Sequence, residues 1–238
     1  MKDISVNEQL LENYSNYYSN VDSKWRQISS VEKAKNIISL CSSYSHELVL
    51  EVGAGDGSIL EKLSEQYFGK ELHALEISPS GAEAIAKKKI PRVIKAGLFD
   101  GYNIPYQDNL FDLVVISHVL EHVEYPRKLL YEAGRVGKLV FVEVPLEDNW
   151  RLPLDYTFNK VGHINFYSPR TIRRLIQTCG FDILGQRIAN LSKESYQYQE
   201  KTKGYIKYFI KEYLLRLFPG LAVGVFTYHQ ALIFRKHD

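Results

Sequence analysis

Glu51-Val52-Gly53-Ala54-Gly55-Asp56-Gly57-Ser58 sets a glycine at every second position directly after an apolar run, and a helical pattern (Ile59, Leu60, Leu63) begins at once. A strand that breaks into such a loop and resumes as a helix offers main-chain N–H groups to a ligand at the helix N-terminus. Glycine suits the loop because it takes positive φ cheaply and lets a ligand approach the backbone. The spacing is G-x-G-x-G. It differs from the G-x-G-x-x-G of dinucleotide sites, and no Lys-Ser or Lys-Thr follows as in a P-loop. Glu76 closes the next apolar run, nineteen positions after Gly57. A carboxylate near that offset can accept hydrogen bonds from a ribose diol. Three histidines could move protons near neutrality: His118 and His122 after the apolar run Leu113–Ile116, and His163 within Val161–Pro169. Glu143 could bind a cationic acceptor or buttress a histidine, and Glu121-His122 could equally serve packing alone.

Elements of a definite kind must hold these residues. Strand-like runs recur at Leu48–Val52, Leu72–Ile77, Arg92–Ala96, Phe111–Ser117 and Lys138–Val144. Helical spacing covers Ser30–Cys41, Ser58–Tyr67, Pro79–Lys88 and Tyr125–Val136. Alternation of this kind predicts βαβ units and a doubly wound, mostly parallel α/β sheet with helices on both faces. Pro169–Cys179 reads as a helix with Ser168 at its N-cap and Gly180 past its end. Phe181–Ile188 and Val225–Phe234 read as two final strands, paired antiparallel. Two segments fall outside this frame: 146–167, and 190–224 with a helix over Tyr205–Phe218. Ile206, Phe209, Ile210, Tyr213, Leu214 and Leu217 share one face of that helix.

The 238 residues fit one domain, 1–238. A net charge of +2 and the lack of a basic arm disfavour a nucleic-acid binder. The polar N-terminus is no signal peptide, and no apolar run reaches membrane-spanning length. Cys41 and Cys179 have no metal-ligand spacing and read as free thiols, consistent with a cytoplasmic protein.

The loop Glu51-x-Gly53-x-Gly55-x-Gly57, followed by Glu76, resembles the class I S-adenosylmethionine-dependent methyltransferases of the small-molecule type. The resemblance covers roughly Val31–Cys179. It implies a Rossmann-like seven-stranded sheet whose last strand is antiparallel, and S-adenosyl-L-methionine as cofactor, released as S-adenosyl-L-homocysteine. It places Gly53, Ala54, Gly55 and Gly57 against the cofactor backbone-first, with Glu51 near the amino group and Glu76 and Ile77 at the ribose. Counting back five residues from Pro105 puts Asp100 at the adenine amino group, with Gly101 beside it; an Asp-Gly turn is the alternative. Ser117 and His118 fall at the carboxyl edge of the sheet, beside the bound cofactor. Residues 1–30 fold over the cofactor as a lid in the resembled enzymes, which would bring in Tyr14, Tyr17, Tyr18, Trp25 and Arg26. An aromatic patch on the first helix is equally compatible.

Methyl transfer from a sulfonium is an in-line displacement. Alignment alone can be worth roughly 7–11 kcal/mol, and a positioned base adds roughly 10²–10⁴-fold for hydroxyl or ammonium acceptors. His163, which follows a glycine before the next helix as in the resembled enzymes, is the first candidate for base or acceptor ligand; His118 is the second. Glu143, Trp150, Tyr156, His163 and Asn165 are the candidate acceptor-binding residues, with 146–167 and 190–224 as acceptor-side insertions. The expected acceptor is a small molecule, attacked at oxygen or nitrogen; a sugar, a glycan precursor or another secondary metabolite suits the tyrosine-rich loops. The basic, apolar stretch 201–218 leaves room for a membrane-surface or dimer contact. A nicotinamide oxidoreductase, a non-catalytic partner subunit of methyltransferase fold, and an RNA or protein methyltransferase are the competing readings.

Overall fold

A computed structural model describes residues 23–155 and 162–237. Tyr14, Tyr17, Tyr18 and Tyr156 lie outside them. The order is α1 (Ser23–Cys41), β1 (Leu48–Val52), α2 (Ser58–Glu65), β2 (Glu71–Glu76), α3 (Pro79–Lys88), β3 (Val93–Leu98) and β4 (Phe111–Ser117). Then come α4 (Pro126–Val136), β5 (Gly137–Pro145), α5 (Pro169–Thr178), β6 (Phe181–Ala189), α6 (Lys193–Leu217), α7 (Pro219–Val225) and β7 (His229–Lys236).

The strands form one sheet in the order β3-β2-β1-β4-β5-β7-β6. β1 pairs in parallel with β2 and β4, while β7 runs antiparallel to both β5 and β6. Side chains alternate across each strand, so β4 feeds two cores. Val114 and Ile116 pack with Leu129, Leu130 and Ala133 of α4 and with Ile172 and Ile176 of α5. Leu113 and Val115 pack with Ala34 and Ile37 of α1, Leu60 and Leu63 of α2, and Ile85 of α3. Strand order reverses between β1 and β4, and the crevice beyond the carboxyl ends of the strands at such a reversal is where open α/β sheets bind ligands.

The N-terminus of α5 is as expected. Ser168 accepts from the Thr171 amide, Thr171 reciprocates at the Ser168 amide, and Pro169 stands in the first turn. Ser168→Ala should cost about 1 kcal/mol, read as a lower urea midpoint at unchanged m.

The C-terminal third departs from expectation. The strand expected over Val225–Phe234 begins only at His229, because Pro219 starts a further helix. Its Ala222 packs with Leu146 and Tyr228. β6 and β7 are antiparallel neighbours joined through two helices, not by a tight turn. α6 begins at Lys193 and breaks at Lys201 (φ 52°, ψ −129°). The two halves cross closely at Gly204, where a Cβ would sit 2.1 Å from the Tyr196 carbonyl oxygen. The apolar face of the second half is turned outward: Ile206, Phe209, Ile210, Tyr213 and Leu217 are exposed. Lys211 points inward instead, its ammonium donating to the Thr227 carbonyl (2.6 Å) and the Tyr196 hydroxyl. Among the described residues no helix is long and apolar enough to cross a membrane.

Candidate functional site

A cavity of about 750 Å³ opens at the carboxyl ends of β1, β2, β4 and β5, between the glycine loop, α1 and the 162–164 segment. Small-molecule sites commonly fall in this size range.

One end is built by the glycine loop. Gly53, Gly55 and Gly57 have φ of 74°, 60° and 75°. The Gly53 and Ala54 amides donate to the Leu75 carbonyl (2.8 and 3.1 Å), which ties the loop to β2. A Cβ on Gly53 would stand 2.4 Å from Val119 Cγ2. Glu76 accepts from the Gly55 amide (2.8 Å) and the Ser78 amide (3.0 Å), and is buried. Burial raises its pKa against those two bonds. Glu51 is also buried on the cavity wall, and its Oε2 has no hydrogen-bond partner. Burial pushes its pKa well above the usual carboxylate range. A buried carboxylate oxygen without a partner on a cavity wall is a group that a ligand's ammonium would satisfy.

Asp56 locks this loop to its neighbours. Its Oδ1 accepts from the Ser58 amide (3.1 Å) and hydroxyl (2.6 Å), and its Oδ2 pairs with Arg26 Nε at 2.9 Å and Lys88 Nζ at 3.5 Å. Burial works to raise its pKa, but the Ser58 bond and these cations outweigh it and hold the carboxyl below the usual range. Through Arg26, helix α1 is clamped over the cavity, and Trp25 lines it.

The other end is a chamber of titratable groups. His118, at the tip of β4 with φ 57°, bonds through Nδ1 to Glu121 Oε1 (3.1 Å); its Nε2 is buried without a partner. Burial, then the charge of Lys33, holds its pKa well below the usual histidine value, which favours the neutral ring. His163 Nδ1 bonds Glu147 Oε2 at 2.6 Å. Burial works against its charged form, but the Glu147 bond and charge outweigh it and raise the pKa. Glu143 accepts from Asn36 Nδ2 (2.7 Å) and the Ser117 hydroxyl (3.2 Å), and burial brings its pKa up to about 7. Desolvation lowers the pKa of Lys33, despite the carboxylates of Glu143, Glu121 and Glu51.

Glu51, Gly53, Ala54, Gly55, Glu76, Ile77, Gly101, Ser117, His118, Glu143 and His163 all line this cavity, as does Trp25. Four expected residues do not. Gly57 opens α2 in the left-handed conformation and packs against Ile85 and Ile90. Asp100 is exposed and holds its own turn: Oδ1 accepts from the Tyr102 and Asn103 amides (2.9 and 2.6 Å), so the Asp-Gly turn alternative describes its contacts. The wall there is made by Phe99, Gly101 and Tyr102. Trp150 is 76% exposed and lies over Gly224, outside the cavity. Asn165 is a clamp, donating to the Leu120 (3.0 Å) and Val123 (2.7 Å) carbonyls. The sequence reading missed Lys33, Glu147 and His229, all on the wall. The available signal for Lys33 was its place on one helix face with Ser30 and Ile37.

Residues 25–186 match the profile of a family described as "Methyltransferase domain". Norajmaline N-methyltransferase of Rauvolfia serpentina is 32% identical over 93 residues, 37% of this chain and 32% of that protein. Demethylmenaquinone methyltransferase of Thermotoga maritima is 28% identical over 131 residues, 52% of each. The chain thus spans about half or less of these curated relatives. Among solved structures, the [4+2]-cyclase SpnF superposes with a TM-score of 0.63 at 15% identity, covering 87% of this chain and 81% of that one. The CcbJ methyltransferase of Streptomyces caelestis does so with a TM-score of 0.61 at 10% identity, covering 96% and 98%. These likenesses are of fold alone, and SpnF shows that the fold also carries other chemistry.

Proposed function

The chain belongs to the methyltransferase-domain family, among the class I S-adenosylmethionine-dependent methyltransferases, and from that premise we propose that it methylates an oxygen or nitrogen of a small molecule. A sugar, a glycan precursor or another secondary metabolite is the acceptor class. One observation carries this reading: a single cavity joins the Glu51–Gly53–Glu76 end to the His118–Glu143–His163 chamber.

S-Adenosylmethionine supplies a methyl group on a sulfonium, which needs no further activation. When it is bound, Glu76 would serve its ribose, the glycine loop would pack against its methionine end, and buried Glu51 would meet its ammonium. The attacking acceptor atom brings its electron pair to the methyl carbon. The carbon–sulfur bond breaks, leaving neutral S-adenosylhomocysteine, and the acceptor's proton passes to an imidazole. Two carboxylate-backed rings support this reading, His163 on Glu147 and His118 on Glu121. Helix α1, held by Arg26, keeps water from the reacting atoms.

The test is methyl transfer from isotope-labelled S-adenosylmethionine to a panel of sugars, phenols and amines, with RNA and protein alongside. A labelled small molecule is the expected product. His163→Ala should lower kcat by roughly 10²-fold while leaving S-adenosylhomocysteine affinity within about threefold. Labelled RNA or protein would overturn the acceptor class. Cofactor binding without transfer to any acceptor would favour the partner-subunit reading.

A further inference from the structure

Glu121, His122 and His163 bring one ligand atom each to within 4.8 Å of one another on the cavity wall. Glu121 is fully buried; its Oε1 is held by His118 Nδ1, and its Oε2 has no hydrogen-bond partner. An orphaned carboxylate oxygen in a dry site is costly unless something fills it. Both rings are oriented from behind. His122 Nδ1 meets the Gly162 carbonyl at 3.2 Å, and His163 Nδ1 meets Glu147 Oε2 at 2.6 Å. Nδ1 held by a carbonyl or carboxylate, with Nε2 as the coordinating atom, is the arrangement that fixes metal-ligating histidines.

The backbone that carries these groups is fastened as one unit. The Ile164 and Asn165 amides both donate to the Glu121 carbonyl (2.9 and 3.0 Å). The Asn165 side chain grips the carbonyls on either side, at Leu120 and Val123. The His122 and His163 rings stand edge to face with centroids 4.8 Å apart.

We propose that Glu121, His122 and His163 form a binding site for one divalent transition-metal ion of the Zn²⁺ type. This inference rests on the small-molecule methyltransferase reading only for its use: with the ion bound, His163 would act through it as an acceptor ligand, and His118 would be the ring left to take the acceptor's proton. Two imidazoles and one carboxylate suit Zn²⁺ or its first-row neighbours, whereas Mg²⁺ and Ca²⁺ prefer oxygen shells. A second cluster, His118, Glu143 and His229, is the weaker candidate. Both Glu143 oxygens already accept hydrogen bonds, and the Lys33 charge acts on that carboxylate before any other.

The test is titration of chelator-treated protein with Zn²⁺ by calorimetry and with Co²⁺ by visible absorption, S-adenosylhomocysteine affinity being measured on the same samples. One ion per chain is expected, with the d–d bands of nitrogen-ligated Co²⁺. Affinity should fall by about 10- to 100-fold or more in His122→Ala and His163→Ala, and Mg²⁺ should not compete. Histidine-selective nitrogen NMR of the wild type reads the same ring atoms without any substitution, and Zn²⁺ should shift Nε2 of two rings. Absence of saturable binding in folded wild type, or binding unchanged in both variants, would overturn the site. S-Adenosylhomocysteine binding reports separately on the methyltransferase reading, so the two failures are distinguishable.

Discussion

Glu76→Ala should weaken S-adenosylhomocysteine binding by about 100-fold or more, equivalent to roughly 2.7 kcal/mol. The substitution removes the acceptor the ribose would use and also strands two inward amides. Gly55 N and Ser78 N both donate to this buried carboxylate, and each donor left unsatisfied costs roughly 1–3 kcal/mol. The loop then loses its shape along with its ligand contact. Glu76→Gln should be intermediate, since its carbonyl still accepts one amide while its NH₂ meets the other donor head-on. Calorimetry on the folded variants reads both. Asp100→Ala is the contrasting arm: its carboxylate is spent on its own turn, so affinity should change by less than about threefold. Wild-type affinity in Glu76→Ala would refute this account of the loop.

Glu143→Gln should stabilise the protein at alkaline pH and leave it nearly unchanged in acid. Burial raises the folded-state pKa of Glu143 from 4.5 to about 7. A carboxyl whose folded pKa lies above its unfolded value contributes most stability below the unfolded pKa. That contribution is lost as pH rises, because the unfolded chain ionises first, and the loss is complete above the folded pKa. The window is therefore about pH 4.5 to 7, and the loss amounts to about 3 kcal/mol. The glutamine carries no such ionisation. Its carbonyl can still accept from Asn36, and its amide can donate to the Ser117 hydroxyl. Urea midpoints at pH 5 and pH 8 should show the variant gaining on the wild type by about 2–3 kcal/mol between them. A constant difference at the two pH values would show that Glu143 is ionised in the fold throughout.

The glycine-loop end of the cavity was legible because it is local. Gly53 to Glu76 spans one strand–loop–helix–strand unit, so residue spacing along the chain is close to spacing in space. The chamber was not, because its wall is assembled from distant segments. Lys33 and Asn36 come from α1, His229 from β7, and Glu147 from the connection after β5; apart from the helix face Lys33 shares with Ser30 and Ile37, nothing near them in the chain marks them. That Asp100, Trp150 and Asn165 lie off the cavity wall was not legible for a different reason: a polar or aromatic residue in a loop carries no periodicity, so its type does not tell which way it faces. The 190–224 segment combined both problems. Its stripe of apolar residues gave the helix correctly, but periodicity identifies a face without saying whether that face looks inward.

β7 lies between β5 and β6 in the sheet although it follows both in the chain. During synthesis it leaves the ribosome last of the seven strands. Until then one edge of β5 stays open and β6 has no strand beside it, the condition in which nascent chains attract chaperones or one another. The β3-β2-β1-β4-β5 ladder, with the glycine loop and Glu76, needs nothing from β7 for its own pairing. The cell therefore receives the glycine-loop end of the cavity first, and the wall bearing His229 only when translation reaches the final strand.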